Sequence, residues 1–325
     1  MADIEDWEFP LGLQPKPEAV DFDLDAALAA VVAVRTEVPE DAFTATLLGT
    51  ERLGNGVVIG SDGLVLTIGY LITEAETIWL TSVTGHAAPA HLVAYDQATG
   101  FGLVQALGRL GVPALRRGAS TGTDVGEIVV VAGFGGRRHA LSAELVAKRE
   151  FAGYWEYVLD EALFTAPAHP QWGGAAVINS EGELIGIGSL LIQDARHGEG
   201  SSEGNMSVPI DLLDPIFDDM LHYGRSRQPV RPWLGMYTAE SKDGLVVAGV
   251  ARGGPAHRAE VQPGDRVIEV AGMRPAGLGD LFRKVWAVGA AGAEIPLTLQ
   301  REGATLRVRL RSADRGDFLK KPRLQ

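Results

Sequence analysis

The segment HPQWGGAAVIN, residues 169–179, has the layout of a loop that presents a reactive side chain. A proline turn leads into paired glycines, then into a strand that ends at Asn179 and an Asn-Ser-Glu-Gly turn. Its apex is Gln171, Trp172 and Gly173, none of them a nucleophile. Acyl transfer through a hydroxyl needs that oxygen, a base to take its proton and a carboxylate to orient the base. Nearby groups offer little substitute. His169 reads as a surface residue of the proline turn, and Ser180 and Ser120 as turn residues, with Ser189 further downstream.

Other chemistries find no better footing. The absence of cysteine excludes disulfides, thiolate zinc sites and cysteine nucleophiles. The histidines at 86, 91, 139, 169, 197, 222 and 257 are scattered, with no HxxxH-like pair on one face, so no metal is expected. His86 and His91 flank a turn and read as solvated. GFGGRR (133–138) is a β-turn followed by two arginines rather than a phosphate-cradling loop, and no cofactor is expected.

The elements that would position these residues are mostly strands. From 29 to 220 the chain runs in short β-type stretches broken by Gly, Asn and Asp, among them GNGVVIG, LVLTIGYLI, TIWLTSV, EIVVVAGF and ELIGIGSLL. DLLDPIFDDMLHYG (211–224) has helical spacing and stops at Gly224, which makes it a helix closing the domain. GRSRQPVRP (224–232) reads as a linker. A second unit over 233–312 follows, with a helix at 278–288 and a closing hairpin turning at Glu302-Gly303. Residues 1–22 form an acidic, proline-containing arm in which Trp7, Phe9, Leu11 and Leu13 are apolar. They either pack back onto their own domain or form a subunit contact. The tail 313–325 reads as loose.

The 325 residues suffice for two or three compact units. A formal charge of -13 argues against a grip on nucleic acid or an anionic membrane. The N-terminus MADIEDWEFP lacks the basic and apolar regions of a secretory signal, and AALAAVVAV (26–34) is too short to span a bilayer. The expected location is therefore cytoplasmic, or periplasmic if a signal was missed upstream.

The order WLGM, GGPAHRAEV, QPGDRVIEVAGM, a helix and a hairpin resembles the PDZ domains that follow HtrA/DegP-type proteases. In such a module Leu234, Gly235 and Met236 would turn backbone N–H groups toward a ligand's C-terminal carboxylate. The ligand would add as a strand beside Met236 and Tyr237. Leu281 and Val285 on the helix would line a specificity pocket, or else belong to the core.

The chain from 23 to 223 resembles the HtrA-type trypsin/chymotrypsin double β-barrel. GNGVVIGSDGLVLTIGYLI, AHLVAYDQATGFGLVQA and APAHPQWGGAAVINSEGELIGIGSLL are similar to the segments presenting histidine, aspartate and serine. Here Tyr70, Gly100 and Gly173 stand at those positions, beside a vestigial oxyanion loop of Gln171, Trp172 and Gly173. Trp172 is either an aromatic platform for a ligand or a plug filling vacated space. A phenol with its ordinary pKa of ~10 cannot replace imidazole as a base near neutrality, and loss of a triad member costs on the order of 10⁴–10⁶ in turnover. The resemblance therefore implies a mainly β pseudoprotease, a double barrel followed by a small α+β PDZ domain. It would bind protein C-termini or unfolded polypeptides in a regulatory or scaffold role. The alternative is an active HtrA-like serine endopeptidase of protein quality control. The family also implies a homotrimer formed through N-terminal contacts.

Overall fold

The computed structural model describes residues 7–196 and 202–321, so His197 lies outside the described residues. The chain divides into two compact units. One holds the residues up to Arg149, Glu161–Ser226 and the chain from Lys320; the other holds Glu150–Asp160 and Arg227–Leu319.

The first unit consists of two closed six-stranded barrels. After helix α1 (Leu24–Ala29), strands β1 (Val31–Glu37), β2 (Glu51–Val58), β3 (Leu64–Ile68), β4 (Thr77–Thr81), β5 (Ala87–Tyr95) and β6 (Phe101–Ala106) close in the order β1-β2-β3-β6-β5-β4. A short helix α2 (Ala45–Leu48) lies between β1 and β2. In β4 the alternation is clean: Ile78 and Leu80 face the core while Trp79 faces out. β3 is buried along its whole length. The run LVLTIGYLI is not one strand: β3 ends at Ile68, and Gly69–Leu71 form a 3₁₀ turn that carries Tyr70. Arg52 fixes this turn, donating from Nη1 to the carbonyls of Tyr70 (2.7 Å) and Thr73 (3.0 Å).

The second barrel closes as β10-β11-β12-β9-β8-β7, from β7 (Ile128–Ala132), β8 (Ala140–Gly153), β9 (Tyr157–Ala166), β10 (Ala176–Ile178), β11 (Leu184–Ile192) and β12 (Gly204–Pro209). Helix α3 (Asp214–Tyr223) ends the unit, stopped by Gly224 in the left-handed region at φ 69°. In the second unit α4 (Pro255–Arg258) and α5 (Leu278–Val288) accompany a five-stranded sheet ordered β13 (Met236–Ser241), β14 (Gly244–Val250), β15 (Arg266–Val270), β16 (Glu294–Arg301) and β17 (Ala304–Arg311). The turn between β16 and β17 places both Glu302 and Gly303 at positive φ, as a tight two-residue hairpin requires.

The N-terminal arm packs back onto the second barrel. Phe9 joins the core of Val129, Val131, Leu141 and Leu163, with Trp7 against it. Leu11 stays 81% exposed. The arm meets His169, whose ring lies edge-on to Trp7 and Phe9 at 5.8 and 5.1 Å. His169 is thus buried, contrary to the surface position expected from its proline turn. Asn205 holds its backbone from both sides, accepting from His169 N at 2.6 Å and donating to its carbonyl at 3.1 Å. The tail is also partly ordered: Arg315–Phe318 form a 3₁₀ turn, and Phe318 packs on Trp233 at 4.8 Å.

Burial lowers the His169 pKa to about 4, partly opposed by its hydrogen bond to the His139 carbonyl. An unfolded histidine titrates near ~6.5. Above that pH neither state is protonated and stability is full. As pH falls toward 4 the unfolded chain gains a proton that the folded chain refuses, removing about 3 kcal/mol in all. Denaturant unfolding at pH 7 and pH 4.5 should show His169→Gln losing markedly less stability than wild type over this interval. Equal losses would mean that His169 is not held neutral by the fold.

Candidate functional site

Tyr70, Gly100 and Gly173 do converge between the two barrels. The Gly69 N–H donates to the Gly100 carbonyl at 2.7 Å, tying the turn that carries Tyr70 to the start of β6. Gly100 has φ 84°, a conformation that an aspartate would occupy only with strain. The Tyr70 hydroxyl turns inward and donates to the carbonyl of Ser189, in β11, at 2.9 Å. Burial drives this phenol well above its usual range, although a hydrogen bond with the Trp172 side chain pulls the other way. A Cβ on Gly173 would lie 2.8 Å from the same hydroxyl. Tyr70 therefore fills the space a side chain at 173 would need.

The loop around Gly173 is fixed by β2. Asn55 donates from its backbone N to the Gly173 carbonyl at 2.8 Å, and from Nδ2 to the Gln171 carbonyl at 2.8 Å. Its Oδ1 accepts from Phe134 N at 2.8 Å. The loop keeps the close backbone approach expected of its glycines: a Cβ on Gly174 (φ 76°) would come within 1.8 Å of the Asn55 carbonyl. The anion-binding geometry is a different matter. The Gln171 N–H, one of the two expected oxyanion donors, is engaged by His169 Nδ1 at 3.1 Å. Trp172 is half-buried and bonded to the phenol, so it both fills space and presents a surface.

Neither Ser120 nor Ser180 is placed as a nucleophile beside a histidine among the described residues. Ser120 hydrogen-bonds Asp211, and its carbonyl accepts from Lys148. Ser180 is exposed in its turn, where Asn179 Oδ1 accepts from Glu181 N and Glu183 N. His86 and His91 are exposed. Among the described residues no three His, Asp or Glu side chains are grouped to hold a metal ion.

In the second unit Gly235 sits at φ 68°, and a Cβ there would meet the Trp233 ring at 3.0 Å. This bend points the N–H groups of Leu234 and Met236 at one place. That place is occupied. The Glu156 carboxylate accepts from Leu234 N (2.9 Å to Oε2) and Met236 N (3.0 Å to Oε1). Burial pushes the Glu156 pKa up to about 7, against the opposing pull of the Leu234, Met236 and Gly235 N–H groups and the charge of Arg315. Tyr237 lies in β13, its ring 6.1 Å from Tyr154. Leu281 and Val285 are enclosed, at 0% and 1% exposure, in a core shared with Phe282 and Val158. The sequence reading overlooked Glu156. Its one local sign is the aromatic cluster Tyr154-Trp155-Glu156-Tyr157 between two strands.

The contact between Tyr70 and Gly173 is testable by a double-mutant cycle on unfolding free energy. Gly173→Ser should destabilise wild type by about 1–3 kcal/mol through overpacking. In the Tyr70→Phe background, which lacks the obstructing oxygen, the penalty should shrink by at least half. An unchanged penalty would show that the hydroxyl does not fill this space.

Comparisons with known proteins agree with this architecture. Residues 54–187 match the trypsin-like peptidase domain and residues 232–311 the PDZ domain. The serine endoprotease DegS of Haemophilus influenzae is 24% identical over 268 residues, covering 80% of this chain and 77% of that protein. The serine protease PepD of Mycobacterium tuberculosis is 27% identical over 288 residues, covering 81% of this chain and 61% of that one. A probable periplasmic serine endoprotease DegP-like of Hahella chejuensis is 26% identical over 235 residues, covering 68% of this chain. The chain spans about half of that relative, 49% of its length. Among solved structures, the HtrA-type protease AlgW with decapeptide superposes with a TM-score of 0.53 at 19% identity, covering 93% of this chain and all of that one (100%). The serine endoprotease from Yersinia pestis gives 0.53 at 22% identity, covering 91% and 99%. Two matched domains in this order, on a double barrel followed by a five-stranded α+β unit, give the chain the arrangement of its HtrA/DegP-type homologues, a trypsin-like peptidase domain carrying a C-terminal PDZ domain.

Proposed function

We propose that this chain is a non-hydrolysing member of its family that binds polypeptide C-termini through its PDZ unit, in a regulatory or scaffold role. The observation that carries this reading is the Tyr70 hydroxyl, seated against Gly173 and donating to the Ser189 carbonyl. A glycine supplies no attacking oxygen. A buried phenol stays protonated near neutrality, so it takes no proton from a nucleophile. Gly100 supplies no carboxylate to orient a base, and the Gln171 N–H is already bonded to His169. The relatives are named as proteases, but a shared fold does not carry activity to a chain with different side chains.

The relatives' periplasmic description supports the periplasmic of the two expected locations. Among the described residues no helix is long and apolar enough to cross a membrane. A trimer built on the N-terminal arm would find Leu11 exposed, whereas Phe9 is buried in the chain's own second barrel and Trp7 is partly buried against it.

A fluorophosphonate probe and an unfolded substrate such as casein test the reading together. We expect no adduct by intact mass and no cleavage. Restoring Tyr70→His, Gly100→Asp and Gly173→Ser is expected to remain unreactive, because the Gln171 donor stays engaged and Gly100 has a left-handed backbone. A stoichiometric adduct on the wild-type chain would overturn the proposal and favour an endopeptidase.

A further inference from the structure

The tip of the hairpin formed by β8 and β9 belongs to the second unit rather than to the barrel that supplies the rest of those strands. We propose that Tyr154–Glu156 is an intramolecular ligand of the PDZ unit, with the Glu156 side-chain carboxylate seated where a polypeptide's C-terminal carboxylate would bind, so that an external C-terminus enters only by displacing it. The inference rests on the preceding reading of Leu234-Gly235-Met236 as a carboxylate seat.

Two features make this segment a mimic of a bound C-terminus. Its carboxylate accepts from successive backbone donors of the bent loop, Leu234 N and Met236 N, as a terminal carboxylate would. Two residues upstream, the Tyr154 carbonyl accepts from Thr238 N at 3.1 Å, so the segment makes a main-chain bond to β13 as an added strand would. Two residues further on, Val158 is buried in the same apolar cluster as Leu281 and Val285, which anchors the segment to the second unit.

The tip is also built to stay there. Glu156 has φ 64°, a backbone conformation that residues with a Cβ seldom adopt and that tertiary contacts must hold. Gly153 leaves room for the Trp155 ring, which a Cβ would approach to 2.7 Å. Trp155 in turn stacks on Tyr157 at 5.7 Å. On α5, Arg283 pairs with Glu150 at 2.7 Å and with Asp160, bracketing the segment at both ends. These two ion pairs are partly exposed and act mainly as guides. The buried carboxylate is the anchor.

An occupied seat lowers the apparent affinity for any external C-terminus by the fraction of molecules in which it is open. Two variants remove the anchor at different costs. Glu156→Gly deletes the carboxylate and suits the positive φ, whereas Glu156→Gln keeps an acceptor oxygen without the charge. Hydrogen exchange at the Leu234, Met236 and Thr238 amides reports occupancy directly. Binding to an immobilised library of decapeptides, with free or amidated C-termini, reports competition.

In Glu156→Gly the three amides should lose at least about ten-fold protection, and free-carboxylate peptides should bind at least about ten-fold more tightly than to wild type. Glu156→Gln should fall between the two. Unchanged protection in Glu156→Gly overturns the inference whatever the peptides do, and so does equal peptide affinity in both proteins. If protection falls but no peptide binds either protein, or amidation is irrelevant, the docked tip stands and it is the peptide-capture reading that fails.

Discussion

A single oxygen, the Tyr70 hydroxyl, ties the two barrels of the first unit together. It lies where a side chain at position 173 would have to begin, and it spends its proton on a backbone carbonyl of the opposite barrel. The bond stabilises the phenol only while the hydroxyl remains protonated, and burial acts in the same direction. Tyr70 is thereby a strut between barrels. Arg52 below it and the Gly100 carbonyl beside its turn hold the strut in place. Gly173 and Tyr70 pack as complements, since a side chain at 173 would meet the hydroxyl and a smaller residue at 70 would leave a void.

The same economy recurs within the second unit. A loop bent by Gly235 must satisfy its inward N–H groups, and a buried donor left without a partner is costly. The chain's own Glu156 supplies the acceptor. At the first site the chain's own His169 likewise engages the Gln171 N–H, while the arm residues Trp7 and Phe9 cover that imidazole. In each case an inward-facing backbone donor is met by an internal group. The settings differ: His169 is buried beside the aromatic rings of the N-terminal arm, whereas Glu156 is buried at the tip of a hairpin.

Much of this was legible from residue pattern. The apolar spacing of 278–288 gave α5 its limits, and Glu302-Gly303 named the last turn, because both signals are local. Resemblance in the surrounding segments singled out positions 70, 100 and 173; in the structure Gly69 bonds the Gly100 carbonyl and the Tyr70 hydroxyl lies beside Gly173. His169 escaped because burial of a polar ring depends on partners distant in sequence, here Trp7, Phe9 and Asn205. Glu156 escaped for a related reason. Nothing in a hairpin sequence announces that its tip will fold against a loop beginning at Leu234, or that a glutamate will take a positive φ to do so.

The central claim, that the Tyr70 hydroxyl is engaged by the Ser189 carbonyl and held protonated, is open to direct measurement. With tyrosine labelled at the ring Cζ, carbon NMR resolves the ionisation of each phenol in the folded protein. At about pH 10.5 a phenol at its ordinary value of ~10 is mostly phenolate. The account has the Tyr70 resonance, assigned through Tyr70→Phe, still at its protonated shift in protein that remains folded. A Tyr70 signal already moved to the phenolate position would mean that neither the Ser189 carbonyl nor burial holds the proton on this phenol.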